Sequence, residues 1–351
     1  MESTLSKPNQ PSTRMAFLDV ARCIAAILVL IEHAMNILYR DVQDSAGGYA
    51  IVGKVGVILF FLISGFIIPR SLEQGNSQLR FWIRRFFRLY PAYWLSIAAG
   101  WLVCKVTGIN LFPSFDTNDW LINLTMLQGF ITRKHLWGVF WTLQLELIFY
   151  LGISCVRAMD WMKHVRWLAI IVFVVFGLGE FALIYGPGSM IRIDSAFLVL
   201  LATVIGWNAE SYINGRMSLR FLLLIISLQM AIFTLVWAAG YRELPEVSTR
   251  ALGEFLLTWG AAYILFFVLL AMRNFRMPSA LCYFGRISYS VYLLHLLTMT
   301  IAVLLLTNSP GWIKISAWLP LTLAVASAAY FFVEKPGIKL GRGFEKLFFA
   351  T

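Results

Sequence analysis

Charge is what this sequence has least of. Only 13% of its residues are Asp, Glu, Lys or Arg, against roughly 25% in soluble domains. With 60% of its 351 residues hydrophobic and a mean hydropathy of +0.75, the chain carries more apolar surface than a water-soluble core can hide. The short alternating segments of a membrane β-barrel are missing as well. Its apolar runs are continuous and near 20 residues long, so helices span the bilayer, where a helix satisfies its own backbone.

Cysteine is sparse too. Cys23, Cys104, Cys155 and Cys282 are scattered in or beside apolar runs without CxxC spacing, which implies neither a disulfide framework nor a metal site. No other metal-ligand spacing occurs, and no metal cofactor is expected. There is no internal repeat, no low-complexity tract and no room for a separate soluble domain. A cleavable leader is not expected, because residues 1–15 are polar and charge interrupts the first apolar run.

What is present reads as an all-α, polytopic membrane helix bundle of about ten transmembrane helices. Spans are placed near 16–39, 50–69, 88–106, 137–157, 165–186, 191–209, 218–239, 251–272, 287–306 and 312–333. An even number puts both termini on one side. Of the 29 Lys and Arg, nineteen fall in segments on that side and eight on the other, with Arg22 and Lys54 inside spans. The eight are Arg40, Lys105, Arg133, Lys134, Arg192, Arg242, Arg250 and Lys314. The positive-inside rule therefore makes both termini cytoplasmic. The formal charge of +11 reports topology and does not point to nucleic acid.

Residues 1–15 are expected to be a disordered cytoplasmic tail, and 16–335 the transmembrane domain. Residues 336–351, "PGIKLGRGFEKLFFAT", should form a short basic amphipathic tail on inner-leaflet lipids. The outer connection 107–136 contains "WLINLTMLQGF" (120–130), which is too short to span and either lies in the interface or re-enters. Pro336 is expected to halt the tenth span.

Residues 17–36, "FLDVARCIAAILVLIEHAMN", place Asp19, Arg22, Glu32 and His33 in one apolar run. An ionisable side chain at a bilayer centre costs roughly 2.5–3.5 kcal/mol, so such residues face the bundle interior and mark function by default. At 100° per residue, Arg22 and His33 lie about 20° apart on the helix and about 16 Å apart along it. Asp19 and Asn36 share their side, whereas Glu32 points roughly 80° away. A purely structural reading would make Asp19 and Arg22 an i,i+3 pair and His33 a satisfied polar group.

Other segments converge on this stripe. "FWIRRFFRLYPAYW" (81–94) opens the third span with Arg84, Arg85 and Arg88. These are either positive-inside anchors or an anion clamp, since guanidinium forks suit phosphates. Glu146 in "WTLQLELIFYL" (141–151) lies deep enough in the fourth span to meet His33, or else bonds a neighbouring helix. His295, mid-span in the ninth, reads as a buried histidine bonded to backbone. Ser64-Gly65 in the second span permits close helix packing, and Lys54 snorkels outward.

In this order the motifs resemble the membrane acyltransferase-3 family, integral-membrane acyltransferases of bacterial surface glycans and some small molecules. The resemblance covers about residues 16–342. It rests on Arg22, ten intervening residues and His33; "GVILFFLISGF" (56–66); "RRFFRLYP" (84–91), with Arg85 and Arg88 at the family's Arg-x-x-Arg; Glu146; "ISYSVYLLH" (287–295); and "FVEKP" (332–336). Cys23 stands where the family often has Gly, and Ile58 where it often has an acid. The family's frequent esterase-like appendage is not seen.

The resemblance implies a multi-pass protein of the bacterial cytoplasmic (inner) membrane and an acyl-CoA donor, usually acetyl-CoA, on the inner side. The acceptor would be a hydroxyl of a glycan or lipid-linked glycan entering from outside. Arg85, Arg88 and Arg84 would then meet the CoA phosphates, and the pantetheine arm would pass Arg22 to bring the thioester beside His33. His33 would act as general base, oriented by Glu146 or Glu32, with Glu146 slightly favoured by angle. Direct transfer and an acyl-histidine intermediate both fit. Competing readings are an acyltransferase of a small molecule such as a macrolide, and a secondary transporter, whose repeats and broken helices are not evident. The sequence leaves the oligomeric state open.

Overall fold

Helix occupies most of the described part of every apolar run. The structure, a computed structural model, describes residues 15–38, 46–74, 77–131, 134–185, 198–240 and 245–349. Residues 1–14 of the expected tail, the start of the run 191–209, and Arg40, Arg133, Arg192 and Arg242 lie outside these. Thirteen α-helices follow in order: α1 Ala16–Leu38, α2 Ala46–Gln74, α3 Gln78–Thr107, α4 Thr117–Leu124, α5 Gln128–Ile131, α6 Phe140–Ala158, α7 Val165–Tyr185, α8 Leu200–Ile213, α9 Leu219–Gly240, α10 Pro245–Ala271, α11 Ser279–Leu305, α12 Gly311–Ala329 and α13 Lys335–Phe349. Among the described residues no strand forms.

Among the described residues, six helical stretches can cross a membrane by length and composition: Ile51–Gln74, Met162–Phe181, Leu219–Ala239, Leu252–Asn274, Ser279–Leu305 and Gly311–Phe349. α1 is not among them, because Asp19, Arg22 and Glu32 interrupt it. It packs chiefly against α2 and α11. Glycines let backbones touch at these crossings. A Cβ on Gly285 of α11 would stand 1.8 Å from the Asp19 carbonyl oxygen, and one on Gly65 of α2 would stand 2.0 Å from the Thr203 carbonyl oxygen of α8. Ser64-Gly65 is thus a close-packing step.

Two elements settle readings that the sequence left open or misjudged. The segment 117–131 descends beside α3: the Tyr93 hydroxyl donates to the Asn123 carbonyl, Trp94 Nε1 to that of Leu124 at 3.0 Å and the Tyr90 hydroxyl to that of Thr125 at 3.0 Å. Tyr93 lies fourteen residues, about 21 Å, along α3 from its Thr107 end. The segment therefore re-enters the bundle instead of lying across its end. Pro336 does not halt the chain. A π-turn at Tyr330–Glu334 runs directly into α13, so the helix continues through Pro336 near the start of α13.

α13 lies back along α3. Arg84 holds Glu345 in a bidentate fork (Nε–Oε2 2.7 Å, Nη2–Oε1 2.6 Å), and Phe87 stacks on Phe344 at 5.2 Å between centroids. Leu340, Leu347 and Phe348 remain exposed beside Lys339, Arg342 and Lys346 on the same helix, as on a basic amphipathic helix.

Candidate active site

α1 carries the stripe that organises the site. Asp19 is buried, Arg22 and His33 are half-buried, and each of the latter opens into a cavity of its own. Asn36 is exposed on the last turn of α1 and does not belong to the buried stripe.

The inner cavity is cationic. Arg22, Arg85 and Arg88 line it with Glu146, Tyr150 and Tyr289. Acids stand behind two of the guanidiniums: Asp19 lies 4.0 Å from Arg22, and fully buried Glu334 lies 3.6 Å from Arg88. Ser290 donates to the other oxygen of Glu334 at 2.7 Å. Arg85 Nη2 donates to the Ser71 hydroxyl at 3.2 Å, and its Nε has no hydrogen-bond partner among the described residues. A guanidinium has five N–H donors, more than these contacts use. Glu146 accepts from Tyr150 one turn along α6.

Arg84 is not part of this cavity. It sits about 100° round α3 from Arg85, and its donors are spent on Glu345 outside the bundle interior. The three arginines that share the cavity are Arg22, Arg85 and Arg88, not the run at 84, 85 and 88.

The outer cavity is lined by Glu32, His33, Lys54, Trp141, Glu254 and Trp259, among others. Glu32 presses on the α2 backbone, where a Cβ on Gly53 would meet its carboxylate oxygen at 1.4 Å. His33 packs against the His295 ring, centroids 5.0 Å apart. The structure does not bring Glu146 to His33; Glu146 belongs with the arginines of the inner cavity. Glu32, despite diverging on the helical wheel, shares the outer cavity with His33.

The two cavities share Val57 and Tyr292 as walls. Tyr292 is held across helices: its oxygen lies 2.7 Å from the Thr142 hydroxyl and 3.1 Å from the Val139 carbonyl, to which it donates. Sequence reasoning missed Tyr292, Glu334 and the contact made by His295. A usable signal was present, since Ser288, Tyr292 and His295 recur at i, i+4 and i+7 on one face of an otherwise apolar helix. For Glu334 no local signal existed, because the π-turn that swings it inward is not written in its neighbours. Among the described residues no group of three His, Cys, Asp or Glu is placed to hold a metal ion.

Comparison with known proteins shows the family. Residues 15–333 match the family model described as an acyltransferase domain. Nodulation protein 10 of Rhizobium leguminosarum bv. viciae is 26% identical over 92% of this chain and 93% of its own length. The exopolysaccharide production protein ExoZ of Rhizobium meliloti is 26% identical over 85% of this chain and 94% of its own. The peptidoglycan O-acetyltransferase OatA of Listeria monocytogenes is 26% identical over 92% of this chain, which spans only 56% of that longer protein. No solved structure matches significantly.

Proposed function

Because the chain belongs to the family of that acyltransferase domain, we propose that it moves an acyl group, acetyl in the first instance, from cytoplasmic acyl-CoA to a hydroxyl of an extracytoplasmic glycan. It does so as a multi-pass protein of the bacterial cytoplasmic membrane with ten spans and both termini inside. The observation that carries the reading is the pair of cavities meeting at Val57 and Tyr292. One presents guanidiniums, the other an imidazole, and the helix joining Arg22 to His33 rises about 16 Å between them. The names of ExoZ and OatA, an exopolysaccharide protein and a peptidoglycan O-acetyltransferase, support a saccharide acceptor.

In this reading Arg22, Arg85 and Arg88 bind the phosphates of CoA. The narrow pantetheine arm passes between Val57 and Tyr292 and delivers the thioester beside His33. An acceptor hydroxyl enters the outer cavity, where the half-buried Trp141 suits the apolar face of a sugar ring. His33 takes the hydroxyl proton as the oxygen attacks the thioester carbonyl. The C–S bond then breaks, and the departing thiolate receives the proton from the imidazolium. Glu32, the acid on the same cavity, steadies that imidazolium.

Purified protein given labelled acetyl-CoA and the surface polysaccharide of its host should release CoA and acylate the polysaccharide. His33→Ala should abolish both while the protein still accumulates in the membrane. Retained transfer in that variant removes His33 from the mechanism. Mass spectrometry of a deletion strain should show surface glycans lacking an acyl group. Unchanged glycans with a missing acylated small molecule would move the acceptor class, and solute flux without CoA release would replace the enzyme with a carrier.

A further inference from the structure

His295 is the most constrained polar group that the proposed chemistry does not use. It is 0% exposed. Its Nδ1 lies 2.8 Å from the Tyr292 carbonyl oxygen and 3.2 Å from that of Val291. A carbonyl oxygen only accepts, so Nδ1 carries the proton and Nε2 holds the lone pair. That Nε2 is buried and has no hydrogen-bond partner among the described residues. Leaving a buried acceptor unmade is costly, so the position is not neutral packing.

The ring facing it is His33, centroids 5.0 Å apart and tilted by 48°. No other neighbour described here competes for that nitrogen. Tyr292 packs at 5.9 Å with its hydroxyl engaged by Thr142 and Val139. Trp318 Nε1 and the Thr298 hydroxyl both donate to the His295 main-chain carbonyl and leave the ring alone. Glu32, Lys54 and Glu254 line the outer cavity with His33.

We infer that His295 is the positioning residue for His33: its Nε2 lone pair, left without a partner beside the His33 ring, is the acceptor that one ring N–H of His33 takes up when the base is set, leaving the other nitrogen bare toward the outer cavity. The inference rests on the role proposed for His33. A base needs one tautomer and one ring orientation held before the substrate arrives. Here a neutral imidazole, itself locked by two main-chain carbonyls, supplies both without placing another charge in the bilayer, where charge is costly. The chain thus holds its base by a relay running from main-chain carbonyl to His295 to His33.

Glutamine and methionine at 295 test this, being similar in size but different in chemistry. The Gln amide can donate to the Tyr292 carbonyl while its oxygen accepts from His33; Met has no comparable acceptor. With acetyl-CoA and host polysaccharide as probes, His295→Gln should stay within about threefold of the parent kcat. His295→Met should lose at least about tenfold in kcat with the KM for acetyl-CoA unchanged. Equal activity of the two variants, at any level, overturns the inference, because packing alone would not tell them apart.

Nitrogen-15 NMR of the unmodified protein, labelled at its 4 histidines, reads the tautomer without any activity. A protonated Nδ1 and a hydrogen-bonded bare Nε2 at His295 support the relay, and a protonated Nε2 overturns it. His33→Ala run in parallel separates the failures. If that variant is active, the role of His33 falls and this inference with it. If it is dead while Gln and Met behave alike, only the inference falls.

Discussion

Arg84 and Arg85 are adjacent in sequence and about 100° apart on α3, and that rotation decides what each can do. Arg84 is forked onto Glu345 of α13, whereas Arg85 faces the inner cavity with Arg22 and Arg88. Arg85→Ala should raise the KM for acetyl-CoA by about tenfold, the worth of one lost hydrogen bond between charged groups, with melting temperature and kcat nearly unchanged. Arg88→Ala should weaken donor use as much and also lower the melting temperature, because buried Glu334 then loses its cation. Unchanged apparent CoA affinity in both variants would rule out the clamp. At this scale residue type and spacing were legible: Arg22, Arg85, Arg88, Glu32 and His33 all line one cavity or the other. The pairing was not. Glu146 and His33 lie at similar depths by residue count, yet depth does not say which way a neighbouring helix is turned.

Helices meet here where side chains are absent. Gly285 brings α11 onto α1 at Asp19, three residues before Arg22, with 1.8 Å between a would-be Cβ and the Asp19 carbonyl oxygen. That atom belongs to the backbone and cannot rotate away. Gly285→Val should therefore separate the helices that carry His295 and His33, lowering stability by about 1–3 kcal/mol or more and reducing activity. Thermal unfolding in detergent beside a transfer assay would measure both; a variant with parental melting temperature and rate would show that the crossing relaxes freely. The π-turn at Tyr330–Glu334 has the opposite character. It inserts a residue into the ladder, turns Glu334 onto Arg88 and lets α13 run on through Pro336. Periodicity announced the ten apolar runs and the amphipathic tail. It did not announce the π-turn or the descent of 117–131, because both depend on which surface the neighbouring helix offers.

Across the whole molecule, cations sort to one side. The proposed orientation, with nineteen Lys and Arg on the side of the termini and eight opposite, puts the arginine cavity at the cytoplasm and His33 toward the outside. A green fluorescent protein fused after Thr351 should fluoresce and an alkaline phosphatase fused there should stay inactive; the reverse pattern would invert the path proposed for the acyl group. Composition alone determined that this chain is a helical membrane protein, since 60% hydrophobic residues in long unbroken runs leave no other solvent and no other backbone satisfied in it. Motif order determined its family. Only the tertiary structure decided that the arginines and the imidazole occupy separate cavities sharing Tyr292, that Arg84 is diverted to the terminal helix, and that His295 faces His33. A sequence fixes where a side chain stands on its own helix, but which cavity it enters depends on the rotation and crossing of helices far away in the chain.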